Sequence, residues 1–139
     1  MRPDEAKRED ARAWMAKASL DLRAAEHASK ASSPLLEDVT FHAQQAAEKA
    51  MKALLTWHDV PFRKTHSLEE LGRQCLALDP AMQYLVDEAA PLSEYAWKYR
   101  YPGEPGPPTG EEAADALRVA HKVVAAALER LPPEVWDPQ

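Results

Sequence analysis

Apolar residues recur at three- and four-residue intervals along most of the chain, which is the spacing of amphipathic α-helices. A first helix is predicted from about residue 4 to residue 30, where Trp14, Ala18, Leu22 and Ala25 recur at this spacing. Four further helical segments are predicted at about 34–58, 67–78, 80–95 and 109–131.

Capping residues and prolines indicate where these segments begin and end. Ser33 is predicted as the N-cap of the second helix, with Pro34 at its first position. Pro91 lies inside the fourth segment, where it predicts a kink or a restart. The other three starts have N-cap signals: Asp79 before Pro80, and the capping boxes of Ser67 with Glu70 and of Thr109 with Glu112.

The composition favours helices over sheets, because Ala and Leu dominate and Ile is absent. A chain of 139 residues has the usual size of one domain. We expect a single domain over residues 1–139, with a Pro- and Gly-rich loop at 101–110 and a short tail at 132–139. Since short connections join the long helices, the expected fold is all-α, an up-and-down bundle of about five helices.

Charge and cysteine content narrow the functional classes. The net charge of −6 argues against a protein that coats the phosphate backbone of DNA. Cys75 is the only cysteine, so no intramolecular disulfide forms and a reducing compartment is the simpler expectation. Residues 1–12 are densely charged and no apolar run reaches the ~18–20 residues of a membrane span. We therefore expect a cytoplasmic protein with no membrane association.

Metal binding is not expected from the sequence. The five histidines never occur at H-x3-H or H-E-x-x-H spacing, and Cys75 has no second cysteine beside it. No glycine-rich phosphate loop follows a predicted strand. The sequence predicts no metal and no cofactor other than a bound nucleotide.

One face of the second helix carries a candidate binding surface. His42, Gln45, Lys49 and Lys52 follow each other at three- and four-residue steps, so they share a face. Their donors, acceptor and two cations suit a phosphate or a nucleobase. The alternative is a solvated face on which Glu48 pairs with Lys52 at the favoured i,i+4 spacing.

Two further segments carry candidate ligand-binding residues. His66 directly precedes a capping box and could point at a bound anion, or it could simply pack in the turn. Tyr99, Arg100 and Tyr101 place one guanidinium between two aromatic rings, which suits base stacking and phosphate pairing. The alternative is that these three residues anchor a helix end in the bundle or in a dimer interface.

Taken in order, the segments resemble the HEPN (higher eukaryotes and prokaryotes nucleotide-binding) domain family. The resemblance covers nearly the whole chain and rests on the sequences at 14–22, 41–52, 64–68 and 99–102. It implies an up-and-down helical bundle that commonly forms a homodimer. It also implies a minimal nucleotidyltransferase partner, as in a toxin–antitoxin system, because such genes are often neighbours.

The sequence departs from the ribonuclease members of that family. Those members carry an Arg followed, after four to six residues, by a His; here Arg100 is followed at these places by Pro105, Gly106 and Pro107. We therefore predict a non-catalytic protein that binds nucleotide, RNA or a nucleotidyltransferase. The predicted groove is lined by His42, Gln45, Lys49, Lys52, His66, Tyr99, Arg100 and Tyr101.

Two alternatives remain from the sequence. The first is a ribonuclease toxin in which another histidine, His66 or His121, supplies the base. The second is a purely structural module whose polar face is a dimer seam, since Ala-rich stripes permit close helix contact.

Overall fold

The computed structural model describes residues 3–103 and 106–136. Within these residues the chain forms five α-helices and two 3₁₀ segments, and no strand. The α-helices are α1 (Asp4–Lys30), α2 (Leu36–Trp57), α3 (Leu68–Leu78), α4 (Gln83–Ala89) and α5 (Gly110–Arg130). The 3₁₀ segments are Pro80–Met82 and Ala90–Ala96. The all-α helical bundle predicted from the sequence is confirmed.

Helix α2 lies at the centre of the bundle and packs against both α1 and α5. Its apolar stripe is built largely from alanine: Ala43, Ala46, Ala47 and Ala50 are fully buried. Because these side chains are small, the neighbouring helices approach closely, and larger residues such as Met15 fill the remaining space. This packing leaves one side of α2 for polar residues.

Helices α3 and α4 meet closely at Gly72. A methyl group at Gly72 would overlap the side chain of Val86, so only glycine permits this approach. The thiol of Cys75, one turn further along α3, is fully buried in the same core.

Most of the predicted helix starts agree with the structure. Thr109 and Glu112 form a complete capping box, and Asp79 caps the 3₁₀ segment that begins at Pro80. At Pro91 the α-helical hydrogen-bonding ends and a 3₁₀ segment continues to Ala96, in agreement with the predicted restart.

Two predicted caps need correction. Helix α2 begins at Leu36 with Leu35 as its N-cap and no side-chain cap, so Ser33 does not have the predicted role. The reason is that the Leu35 N–H donates to the carbonyl of Ala28, which holds the connection in a turn beyond Ser33. At α3, Ser67 accepts from the Glu70 N–H as predicted, but the Glu70 carboxylate binds Arg63 at 2.8 Å and does not complete the box.

The predicted loop and tail are described in part. Residues 101–103 and 106–109 have no regular secondary structure, and residues 104, 105 and 137–139 lie outside the described residues. Val135 in the tail is fully buried, and its carbonyl accepts a 2.9 Å hydrogen bond from Nε of Arg12. Among the helices of the described chain, none combines the length and the apolar character that a bilayer span requires.

Candidate functional site

The polar side of α2 is a half-buried surface. At 100° per residue Phe41 and the polar positions from His42 to Lys52 fall within about 160° of the helix circumference. His42, Gln45 and Lys49 are half-buried, whereas Gln44, Glu48 and Lys52 are buried. The structure organises these side chains around two carboxylates.

The first carboxylate is Asp21 of α1. Nδ1 of His42 lies 2.8 Å from Oδ1 of Asp21, and the Lys49 ammonium donates to Oδ2 of the same residue. Asp21 thus links two predicted site residues that are seven positions apart on α2. Lys17 is exposed one turn earlier on α1 and has no ion pair among the residues described.

The second carboxylate is Glu48, which is almost fully buried. It accepts from Nζ of Lys52 at 2.8 Å and from the Gln44 amide at 3.1 Å, and Nδ1 of His66 lies at 2.8 Å. The Lys52 ammonium also lies 5.2 Å from the centroid of the Trp14 ring. Lys52 therefore lies beneath the polar surface of α2 and neutralises Glu48.

His66 has a fixed but accessible ring. The Gln44 amide donates to the backbone carbonyl of His66 at 3.1 Å. Two residues later, the Leu68 N–H donates to the Ser93 hydroxyl at 2.8 Å, and together these bonds hold the turn in place. The side chain is 65% exposed although its Nδ1 is bound to Glu48. Nε2 is the ring nitrogen left for solvent or a ligand.

Arg100 lies near the other end of the polar surface, beside the start of α2. Its guanidinium carbon is 4.0 Å from the centroid of the Phe41 ring. The nearest Asp38 oxygen is 3.8 Å from Nη1, which is beyond hydrogen-bond distance. The Arg100 side chain is 41% exposed, so its N–H groups remain available.

The two tyrosines that flank Arg100 have different environments. Tyr99 stacks on Tyr95 with ring centroids 5.9 Å apart and an interplanar angle of 23°. Burial is the main cause of a raised pKa at the Tyr95 phenol, with the Glu112 carboxylate adding to it. Tyr101 is 78% exposed and offers an uncovered ring.

Two adjoining concavities lie at this end of the bundle. The first, here called the Arg100 pocket, has a volume of about 250 Å³ and is lined by Glu37, Tyr99, Arg100, Tyr101, Pro102, Gly103, Gly106 and Pro107. The second, the Leu35 pocket, has a volume of about 350 Å³ and is lined by Pro34, Leu35, Leu36, Glu37, Asp38 and Pro107. Glu37 and Pro107 line both pockets, so the two are neighbours.

The eight predicted site residues thus occupy three places. Tyr99, Arg100 and Tyr101 line the Arg100 pocket; His42 and Lys49 lie at Asp21; Lys52 and His66 lie at Glu48. Nε2 of Gln45 donates to Oε1 of the Gln44 side chain at 2.7 Å, and around the helix Gln45 lies between the Asp21 group and the Glu48 group.

Several residues of the site were missed in the sequence. The sequence predicts Glu48 only as a surface partner of Lys52, and no pattern in it marks Asp21, Phe41 or Glu37 as site residues. The i,i+4 spacing of Gln44, Glu48 and Lys52 is a signal in the sequence, because three polar residues on one line of a helix can form a shared network. The contact from Asp21 depends on how α1 crosses α2, which no local pattern shows.

No cluster of three or more His, Cys, Asp or Glu side chains in the described chain has the arrangement of a metal site. The arrangement at α2 instead offers imidazole nitrogens, amide groups and ammonium groups around two carboxylates. The Arg100 pocket adds a guanidinium and exposed aromatic surface.

Comparisons with known proteins agree with this architecture. The model of the HEPN domain matches residues 11–131. A crystal structure of an archaeal HEPN homologue superposes with a TM-score of 0.69 at 28% sequence identity, covering 86% of this chain and 96% of that one. A search of curated proteins gave no match. The helical bundle and the family match over most of its length together show that the chain belongs to the HEPN domain family.

Proposed function

We propose that this HEPN protein binds a nucleotide, either free or at the end of an RNA strand, in the Arg100 pocket. The observation that carries the proposal is the Arg100 guanidinium, held over the Phe41 ring and exposed in a concavity that also contains Tyr99 and Tyr101. Notably, this exposed guanidinium occurs in a chain of net charge −6.

The environment of Arg100 suits a phosphate. The Phe41 ring supports one side of the guanidinium, and the 41% exposed side chain leaves N–H groups for bidentate contact with phosphate oxygens. Asp38 is close enough to attract Arg100 but does not consume a hydrogen bond. An incoming phosphate therefore has little to displace.

Aromatic surface beside this cation suits a base. The ring of Tyr101 is uncovered, and Tyr99 is already supported by its stack on Tyr95. Nucleobases stack on such rings with little dependence on sequence. A guanidinium and aromatic rings within one pocket thus match the two ends of a nucleotide.

The polar surface of α2 extends this site for a longer strand. From Phe41 to Lys49 the helix rises about 12 Å, too far for one mononucleotide to cover from Arg100. His42 and Lys49, with exposed Lys17 and His66 nearby, would meet the backbone of a bound RNA. We therefore expect short single-stranded RNA to bind more tightly than a mononucleotide, with a stronger dependence on salt.

The test is a thermal-shift screen of the purified protein against AMP, GMP and a six-nucleotide single-stranded RNA. A ligand that binds only the folded state raises the melting temperature, and Arg100→Ala should abolish that rise. Arg63→Ala is the matched control, because Arg63 is an exposed arginine paired with Glu70 outside the pocket.

The absence of any shift would contradict nucleotide binding. We would then propose that the protein binds a nucleotidyltransferase instead. The test is to mix this protein with the nucleotidyltransferase and measure whether the two co-elute. Light scattering on the same samples gives the oligomeric state and tests the expected homodimer.

One observation favours a second candidate, cleavage of RNA. A histidine whose Nδ1 is held by a buried carboxylate and whose Nε2 is accessible has the geometry of a general base. His66 would take the proton of a 2′-hydroxyl, whose oxygen attacks the adjacent phosphorus and displaces the 5′-oxygen, which takes up a proton. RNA cleavage in the presence of EDTA, lost in His66→Gln but retained in His121→Gln, would support this candidate.

A further inference from the structure

Glu37 lies where the two pockets meet, and its position bears on which base the site accepts. We propose that the site selects guanine, with the Glu37 carboxylate accepting hydrogen bonds from the Watson–Crick edge of the base. This inference rests on the proposed nucleotide binding and adds the identity of the base.

The two pockets suit different parts of a nucleotide, the Leu35 pocket the base and the Arg100 pocket the phosphate. The Leu35 pocket has apolar surface from Pro34, Leu35, Leu36 and Pro107 beside the carboxylates of Glu37 and Asp38, and Leu35 itself is 53% exposed although it is a large apolar residue. The Arg100 pocket contains the cation that a phosphate requires. A nucleotide that spans the two pockets would have its base against Leu35 and Pro107 and its phosphate at Arg100. Glu37 would then lie at the junction of base and phosphate.

The carboxylate of Glu37 is available for such a contact. It is exposed, and among the residues that the structure describes no cation lies within ion-pair distance of it. Its neighbour Asp38 is the carboxylate that faces Arg100, at 3.8 Å. Glu37 also lies in the first turn of α2, where the helix dipole stabilises its negative charge.

Hydrogen-bond chemistry then separates the four bases. Guanine presents two adjacent donors, N1–H and the 2-amino group, which match the two oxygens of one carboxylate. Adenine and cytosine place a ring-nitrogen acceptor beside their amino group, and uracil flanks its single N3–H with two carbonyl oxygens. Each of these three edges brings an acceptor against the carboxylate, which is repulsive.

Nucleotide affinity, measured by calorimetry with GMP, IMP and AMP, tests the inference. GMP should bind about ten-fold more tightly than AMP, because one charge-assisted pair is gained and one repulsion avoided. IMP, which lacks the 2-amino group, should fall between them. Glu37→Gln should reduce the ratio of GMP to AMP affinity to about two-fold or less, since the amide offers one acceptor and one donor.

Glu69→Gln is the matched control, because it removes the same charge from an exposed glutamate that lines neither pocket. Equal affinities for GMP and AMP, or a GMP preference that persists in Glu37→Gln, would overturn guanine selection while leaving nucleotide binding intact. Failure of all three nucleotides to bind the wild-type protein would overturn both proposals.

Discussion

The guanidinium carbon of Arg100 lies 4.0 Å from the centroid of the Phe41 ring, and this contact joins the segment after the last 3₁₀ turn to the start of α2. The stack explains how an arginine outside regular secondary structure can have a defined orientation. It also makes the two residues interdependent, because the ring positions the cation without neutralising it.

Substitution at this contact should weaken nucleotide binding in a graded way. Arg100→Ala should lower GMP affinity at least about ten-fold, the loss expected for a charge-assisted hydrogen-bonded contact. Arg100→Lys should recover only part of it, since an ammonium cannot present the bidentate fork. The GMP affinity of Phe41→Leu should lie between those of the wild type and Arg100→Ala. A Lys variant that binds as well as wild type would contradict a bidentate contact; titration calorimetry provides the measurement.

The buried pair of Glu48 and Lys52 should show strong non-additivity. Replacing Glu48 by Leu leaves the Lys52 ammonium uncompensated in the interior, which should cost about 3–5 kcal/mol in the free energy of unfolding. Lys52→Met should have a comparable cost.

The double variant Glu48→Leu/Lys52→Met should regain at least about half of the free energy of unfolding that either single variant loses, because neither charge of the pair is then left without its partner. Urea denaturation of the four proteins gives the coupling. Strictly additive losses would show that the two charges do not stabilise each other.

The contact between Arg100 and Phe41 illustrates how far the sequence predicts the site. Tyr99, Arg100 and Tyr101 are adjacent in the chain, so their grouping was visible before the fold was known. Their support by Phe41 was not, because it depends on where the chain passes α2 after Pro91. Likewise, periodicity placed Lys52 on the polar side of α2, but only the packing of Trp14 against that side shows that the ammonium is buried.

The helices themselves were easier to predict because their signals are local. The 3.6-residue period, the Asp79 cap and the Thr109–Glu112 box depend on residues within a few positions of each other. The Ser33 cap was wrong because a backbone bond from Leu35 to Ala28, between two elements, decided where α2 begins.

Gly72 should tolerate no side chain. Gly72→Ala forces a methyl group against Val86, and we expect a loss of about 1–3 kcal/mol in unfolding free energy, as for overpacking in other cores. Gly110→Ala is the control, because nothing lies within 4 Å of the added methyl. Chemical denaturation should show that only the first variant is destabilised; equal stability of the two would mean that α3 can move away from α4.

Asp79 should contribute to the acid sensitivity of the fold. The Ala81 N–H and the Arg130 guanidinium hold the pKa of its carboxyl below the ordinary value of 3.8. A carboxyl with a depressed folded-state pKa stabilises the protein above the unfolded-state pKa, and this contribution disappears as the pH falls through the folded-state pKa.

Asp79→Asn should therefore lower the free energy of unfolding at pH 7 and lower it less at about pH 2, because the wild-type carboxyl becomes protonated as the pH falls through its folded-state pKa. Asparagine keeps an oxygen that can accept from the Ala81 N–H, so the change removes the negative charge that both contacts stabilise without removing the cap. Asp87→Asn, at an exposed carboxylate that accepts from Gln83, serves as control. A loss of the same size at both pH values would contradict this account.

Cys75 should be unreactive until the protein unfolds. Burial raises the pKa of its thiol to about 12, so almost no thiolate exists at pH 8. Labelling with a thiol reagent should be slow in buffer and rise with the unfolded fraction in urea. Rapid stoichiometric labelling of the native protein would show that the α3 core opens locally.

The most direct test of nucleotide binding is a crystal structure of the protein grown with saturating GMP. We predict phosphate oxygens within hydrogen-bond distance of the Arg100 guanidinium and the base against Leu35 and Pro107, next to Glu37. A nucleotide bound elsewhere, or crystals in which GMP at that concentration leaves Arg100 facing only solvent, would contradict it.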